Sequence, residues 1–202
     1  MKQELDKYSL QFCPLESFND WYKKATEKEE SPSAFALATS TTMGIPSVRY
    51  LLFKGLINSK FSFYTNKNSP KAKDLKENPK GSMAFYWHKT ERQVRVSGIV
   101  EEMSPELLHN YCQNRPRLSQ AATFISRQSQ SIESKNTILN DFDKCLLDFE
   151  GKEIPVPPQW GGYLVRPLEM EFFVYGEHRL NDRFLYKRNK ESEPWDILRL
   201  AP

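Results

Sequence analysis

Cations, hydroxyls and a helix start meet in one stretch of this sequence, residues 49–71, RYLLFKGLINSKFSFYTNKNSPK. Residues 48–53 and 61–65 are β-branched, aliphatic and aromatic runs, which predict two strands. The segment 55–60 between them is polar at its end and predicts a hairpin loop. Ser69 is a favourable N-cap and Pro70 a favourable first helical residue. Arg49 and Lys54 bracket the first strand, Tyr64 and Thr65 end the second, and Ser69 and Lys71 open the helix. Such a collection of guanidinium, ammonium, hydroxyl and free backbone N–H groups suits a phosphate. An ordinary hairpin with solvated basic ends would carry the same residues. A second group, Tyr111, Arg115 and Ser119, is spaced by fours with Pro116 intervening, which predicts a notch between two short helices.

The 202 residues fit one domain, expected over 14–202 after a loose arm at 1–13. Apolar residues make up 39%, a modest share, while aromatics reach 13%, which suits an interface. The net charge of +3 comes from 29 basic and 26 acidic residues and is too small to argue for nucleic acid. Cys13, Cys112 and Cys145 are odd in number and far apart, and His88, His109 and His178 show no metal spacing. No apolar run approaches the roughly 18 residues of a membrane span, and no signal peptide is visible. The expectation is a soluble, cytoplasmic protein without a metal.

The remaining elements must position these groups. Apolar residues at helical spacing predict a helix over about 14–27, and Ala34 to Thr39 a small-residue strand. The helix from Ser69 should stop at Asn78-Pro79. Strands follow at 81–87 and 92–101, the second with Gln93, Arg95 and Ser97 alternating against Val94, Val96 and Gly98. Helices are expected from Ser104, from near Leu118, and over 131–149. After a Pro-rich loop at 151–160, three strands close the chain, over 163–175, 183–187 and 195–199. Strand follows strand across short turns, and no GxGxxG fingerprint exists. That predicts an α+β, mainly β protein, an antiparallel barrel with surrounding helices.

Several pieces together resemble the pyridoxamine 5′-phosphate oxidase family. They are RYLLFK at 49–54, FYTN at 63–66, ERQV at 91–94, RPR at 115–117 with Ser119, SRQS at 126–129, WGG at 160–162, EHRL at 177–180, DRF at 182–184 and the terminal RLAP. The resemblance runs in order over about residues 15–202 and implies an FMN-binding split β-barrel. It also implies a homodimer with FMN held between subunits, acting on phosphorylated B6 vitamers and O2. Carried over by position, Arg49, Tyr50, Leu51, Leu52, Lys54, Tyr64, Thr65, Ser69, Lys71, Gln93, Gln128, Ser129, Phe173 and Arg183 would bind FMN. Lys54, Tyr111, Arg115 and Ser119 would hold the substrate phosphate, and Arg179 and Asn181 would lie at the reacting carbon. The implied reaction takes a hydride from the substrate C4′ to flavin N5 and reduces O2 to H2O2, giving pyridoxal 5′-phosphate.

Three positions depart from the family pattern. Pro70 stands where an arginine usually helps bind the FMN phosphate, Phe173 where a tryptophan packs near the flavin, and Asn181 where the motif has histidine. Two other readings therefore stand beside the first. One is a related flavin oxidase on another ring, as in phenazine biosynthesis, for which the retained phosphate-binding set would lack a partner. The other is a low-turnover FMN- or pyridoxal-phosphate-binding protein.

Overall fold

The computed structural model describes residues 10–202. The rest of the expected arm, 1–9, lies outside them. Of residues 10–13, Leu10 is buried and Tyr186 donates its hydroxyl hydrogen to the Gln11 carbonyl at 2.8 Å, while Phe12 is 81% exposed.

Nine strands form one sheet in which every pairing is antiparallel. They are β1 (Ala34–Ser40), β2 (Pro46–Leu52), β3 (Leu56–Ile57), β4 (Lys60–Asn66), β5 (Lys80–Trp87), β6 (Arg92–Glu102), β7 (Trp160–Val174), β8 (Asp182–Lys187) and β9 (Asp196–Arg199). The order is β2-β1-β5-β6-β7-β4-β3, with β8 branching from β7 and β9 from β8. No described pairing joins β2 to β3, so the barrel is open. The helices are α1 (Pro14–Lys28), α2 (Pro70–Glu77), α3 (Pro105–Gln113), α4 (Arg117–Phe124) and α5 (Lys135–Asp148).

The strand β7 organises the sheet. Its first residues pair with β4, from Trp160 opposite Asn66 to Val165 opposite Phe61. Further along the same edge, Glu169 to Val174 pair with β8, while the other edge carries β6. Pro167 is tolerated mid-strand because a bulge at Ser97/Gly98 faces it. Gly98 is required there: a Cβ would lie 1.9 Å from the Arg166 carbonyl oxygen.

Inward side chains of the barrel meet the apolar face of α1. Phe18, fully buried, packs edge-on against Phe61 at 4.7 Å, Phe85 at 5.1 Å and Phe53 at 5.4 Å. Each such ring contributes about 1.5–3 kcal/mol by leaving water. This cluster fixes the strands on which the site residues stand. A smaller core of Ala121, Cys145 and Ile154 holds α4 to α5.

Several boundaries differ from expectation: β7 begins at Trp160 instead of 163, because Trp160 already pairs with Asn66. The segment 55–60 is not all loop, because Leu56 and Ile57 form β3 against Phe61 and Lys60. The last long helix starts at Lys135 instead of 131, because Ser134 is the N-cap and accepts from Thr137 N–H at 3.4 Å.

Candidate active site

Alternation along β2 points Arg49 to the same side as Ser47 and Leu51, and Tyr50 and Leu52 to the other. The Arg49 guanidinium donates to Thr39 Oγ1 at 2.8 Å and to Ser47 Oγ, and stands 4.0 Å from Asp74 of α2. Thr39 in turn donates to Asp74 Oδ2 at 2.6 Å. Sequence reasoning missed Thr39, Ser47 and Asp74, whose short polar side chains carry no distinguishing pattern.

Lys71, in the first turn of α2, is 6% exposed and donates to Thr65 Oγ1 and Gln128 Oε1, each at 3.1 Å. Thr65 also donates to Gln128 Oε1 at 2.7 Å. Burial, and then the nearby Arg49 charge, pull the Lys71 ammonium down to about 8. Burial likewise lowers Arg49, and Asp74 partly offsets this. Ser69 occupies the N-cap position of α2, yet its side chain makes no cap bond and its fully buried Oγ has no partner. The expected N-cap hydrogen bond is therefore absent. Among the described residues, two cations with only one carboxylate, Asp74, near them thus lie in the same region as the start of α2, where the Ser69 hydroxyl lacks a partner that an anion could supply.

Beside this cluster, Tyr64 and Tyr111 stack with centroids 3.6 Å apart and planes 5° from parallel. Burial is the main cause that raises both phenols. The Arg115 guanidinium lies 5.7 Å from the Tyr111 ring and 5.9 Å from that of Trp160, and donates to Thr123 Oγ1 at 2.6 Å. Ser119 lies in the first turn of α4, which Pro116 caps. Lys54 is exposed just after β2, its backbone N–H bonded to the Ser62 carbonyl at 3.0 Å. No hydrogen bond joins its side chain to Tyr111, Arg115 or Ser119 among the described residues.

A third group forms a row across three strands, Gln93 opposite Phe173 and Phe173 opposite Arg183. Tyr86 pairs with Gln93, and Gln93 donates to the Tyr175 hydroxyl. Arg183 lies 6.0 Å from the Phe173 ring and donates to Glu171 Oε1 at 2.9 Å. Burial opposes ionisation of Glu171, but hydrogen bonds from Arg183 and Arg95 outweigh it and hold the carboxyl below its usual value. Ser129 is exposed with φ 65°. Arg179 sits in the loop between β7 and β8, also exposed, and Asn181 Oδ1 in the same loop accepts from Gly176 N–H at 3.1 Å.

Residues 22–146 match the family model described as pyridoxamine 5′-phosphate oxidase. Residues 160–202 match that of the pyridoxine 5′-phosphate oxidase C-terminal dimerisation region. The chain belongs to the pyridoxine/pyridoxamine 5′-phosphate oxidase family. It is 42% identical to the enzyme of that name from Pseudoalteromonas atlantica, over 98% of this chain and 93% of the relative. It is 39% identical to that from Salinibacter ruber, over 100% of this chain and 94% of the relative. Among solved structures, PhzG from Burkholderia lata, in complex with tetrahydrophenazine-1-carboxylic acid, superimposes with a TM-score of 0.91 at 26% identity, covering 100% of this chain and 98% of that one. A pyridoxamine 5′-phosphate oxidase-related, FMN binding protein from Nostoc punctiforme shares the fold, with a TM-score of 0.77 at 18% identity over 94% of this chain and 98% of that one.

The cluster of Arg49, Ser69 and Lys71 has the donors of a phosphate site, and the row of Gln93, Phe173 and Arg183 lies in the region matched by the dimerisation model or directly paired to it.

Proposed function

We propose that this protein is an FMN-dependent oxidase that converts pyridoxine and pyridoxamine 5′-phosphates to pyridoxal 5′-phosphate. The observation that carries the cofactor reading is the unpartnered Ser69 hydroxyl beside the buried Lys71 ammonium. A dianionic phosphate there would accept from both and from Arg49. Thr65 and Gln128 orient Lys71 toward it.

The protein works as a homodimer, and the sheet supports a flavin site shared between subunits. Thr65 pairs with Gly161 near the start of β7, whereas Phe173 lies twelve residues further along that strand (173 − 161 = 12). At about 3.3 Å per residue the contour of β7 between them is roughly 40 Å, so the two groups stand near opposite ends of that strand. The phosphate cluster of one subunit and the row of Gln93, Phe173 and Arg183 of the other would together complete one site. Tyr50 is 80% exposed and Val48 69%, on the face of β2 away from Arg49, which suits a subunit contact.

Tyr111, Arg115 and Ser119, with Lys54, would bind the substrate phosphate. Arg115 supplies a fixed fork of donors, aimed by Thr123 and the Tyr111 and Trp160 rings. Arg179 would cover the substrate ring and align C4′. Bound FMN would supply the redox chemistry, accepting the C4′ hydride and returning the electrons to O2 as H2O2; with the amine substrate, water then hydrolyses the resulting imine to the aldehyde and ammonia. The protein's own task is to bind two phosphates, hold two rings face to face and exclude water. The three cysteines are free and no described helix is long and apolar enough to cross a membrane. Both facts suit work in a reducing cytoplasm.

Aerobic incubation of the FMN-loaded protein with pyridoxamine 5′-phosphate tests this reading. Aldehyde and peroxide should appear in equal amounts. Flavin retention without either product would favour a binding role instead.

A further inference from the structure

We infer that Asn181 is a positioning residue that latches the loop carrying Arg179, and does not itself contact the substrate. This rests on the oxidase reading above.

The loop spans the gap between Val174 and Asp182, which pair as the last and first residues of β7 and β8. Its backbone is unusual. Residues 177–179 form one turn of 3₁₀ helix, within which His178 has φ 53° and Arg179 φ 65°. Two successive non-glycine residues in the left-handed region are disfavoured, so surrounding contacts must hold them there. Leu180 N–H bonds to the Glu177 carbonyl at 2.9 Å and closes the turn. Gly176 enters it at a point where a Cβ would lie 1.7 Å from the Leu180 carbonyl oxygen, so the two ends of the loop touch.

Asn181 fastens that crossing. A backbone N–H can only donate, so the partner of Gly176 N–H must be the amide oxygen of Asn181, at 3.1 Å. The oxygen is thereby committed to the loop. Arg179 makes no hydrogen bond or ion pair with another side chain among the described residues and stands exposed at the loop's apex. Its direction is therefore set by the backbone that Asn181 closes. An asparagine accepts this bond at every pH, so the latch needs no particular protonation state.

Two variants separate a latch from a substrate contact. Asn181→Asp keeps an acceptor for Gly176 N–H and loses the amide donor, whereas Asn181→Leu keeps the size and loses both. Exchange of the Gly176 amide, read by NMR, should speed about tenfold in Asn181→Leu and stay near wild type in Asn181→Asp, the change expected for one ordinary hydrogen bond. In the FMN-loaded enzyme, kcat/KM for pyridoxamine 5′-phosphate should fall at least about tenfold in Asn181→Leu, with FMN retention and Tm unchanged, and should be largely rescued in Asn181→Asp. An equal loss in both variants would overturn the inference, because it would show that the amide donor matters. An equally protected Gly176 amide in Asn181→Leu would overturn it too. The exchange readout does not depend on turnover, so an inactive wild type would refute the oxidase reading while leaving the latch tested.

Discussion

Lys71 Nζ and Thr65 Oγ1 lie 3.1 Å apart in a buried position, and no carboxylate pairs with the ammonium among the described residues. A buried cation with only neutral partners is costly in the free protein and poised for an incoming anion. The chain tolerates that cost beside a second cation, Arg49, which deepens it.

The pH dependence of FMN binding follows from this pair. Lys71 loses its proton near 8 in the folded protein, against 10.5 for an ordinary lysine. The lowered value means that the charged form weakens the FMN-free fold below about pH 8, and that this penalty is relieved as pH rises from about 8 to 10.5. On the proposed assignment FMN binding should have the opposite sense, because a phosphate held there would need the Lys71 ammonium. Affinity measured by flavin fluorescence quenching should weaken as pH rises above about 8, by up to about tenfold per unit. Lys71→Met should flatten that slope, and a flat wild-type profile would refute the assignment.

Pro70 offers neither charge nor N–H at the start of α2. Pro70→Arg should tighten FMN by about 10- to 100-fold, the worth of one charge-assisted hydrogen bond. Isothermal titration would decide it. An unchanged Kd would mean that Arg49, Ser69 and Lys71 already saturate the phosphate.

For the substrate phosphate the test residue is Arg115. Arg115→Met should raise KM for pyridoxamine 5′-phosphate about 10- to 100-fold with a smaller change in kcat. Turnover of unphosphorylated pyridoxamine should stay unchanged. Parallel losses on both substrates would place Arg115 outside the phosphate site.

Gly98 tests the sheet geometry that carries the row of Gln93, Phe173 and Arg183. A Cβ there meets the Arg166 carbonyl oxygen at 1.9 Å, so Gly98→Ala must open the bulge between β6 and β7. Urea unfolding should show a loss of about 2–4 kcal/mol. A loss below about 0.5 kcal/mol would mean that the bulge relaxes freely.

Local chemistry made much of this legible in the sequence. Alternation identified β6, and the Ser-Pro pairs marked the starts of α2 and α3. What escaped depended on contacts distant in sequence. Gln128 reaches Thr65 across 63 residues, and Arg49 meets Asp74 only once α2 docks on β1. Asn181 read as a substrate contact by position in a motif, and its oxygen also accepts from Gly176 N–H in the same loop, a bond no local pattern shows. Tyr50 and Leu52 stood in one motif with Arg49, yet strand alternation sends them to the opposite face. β3 is two residues long, too short for any periodicity to show.

The central claim is that this chain brings a phosphorylated B6 vitamer against bound FMN for hydride transfer. Anaerobic mixing of the FMN-loaded protein with pyridoxamine 5′-phosphate, followed in the visible flavin band, tests it most directly. The yellow colour should bleach on mixing and return when air is admitted. A flavin that stays bound and yellow at saturating substrate would contradict it.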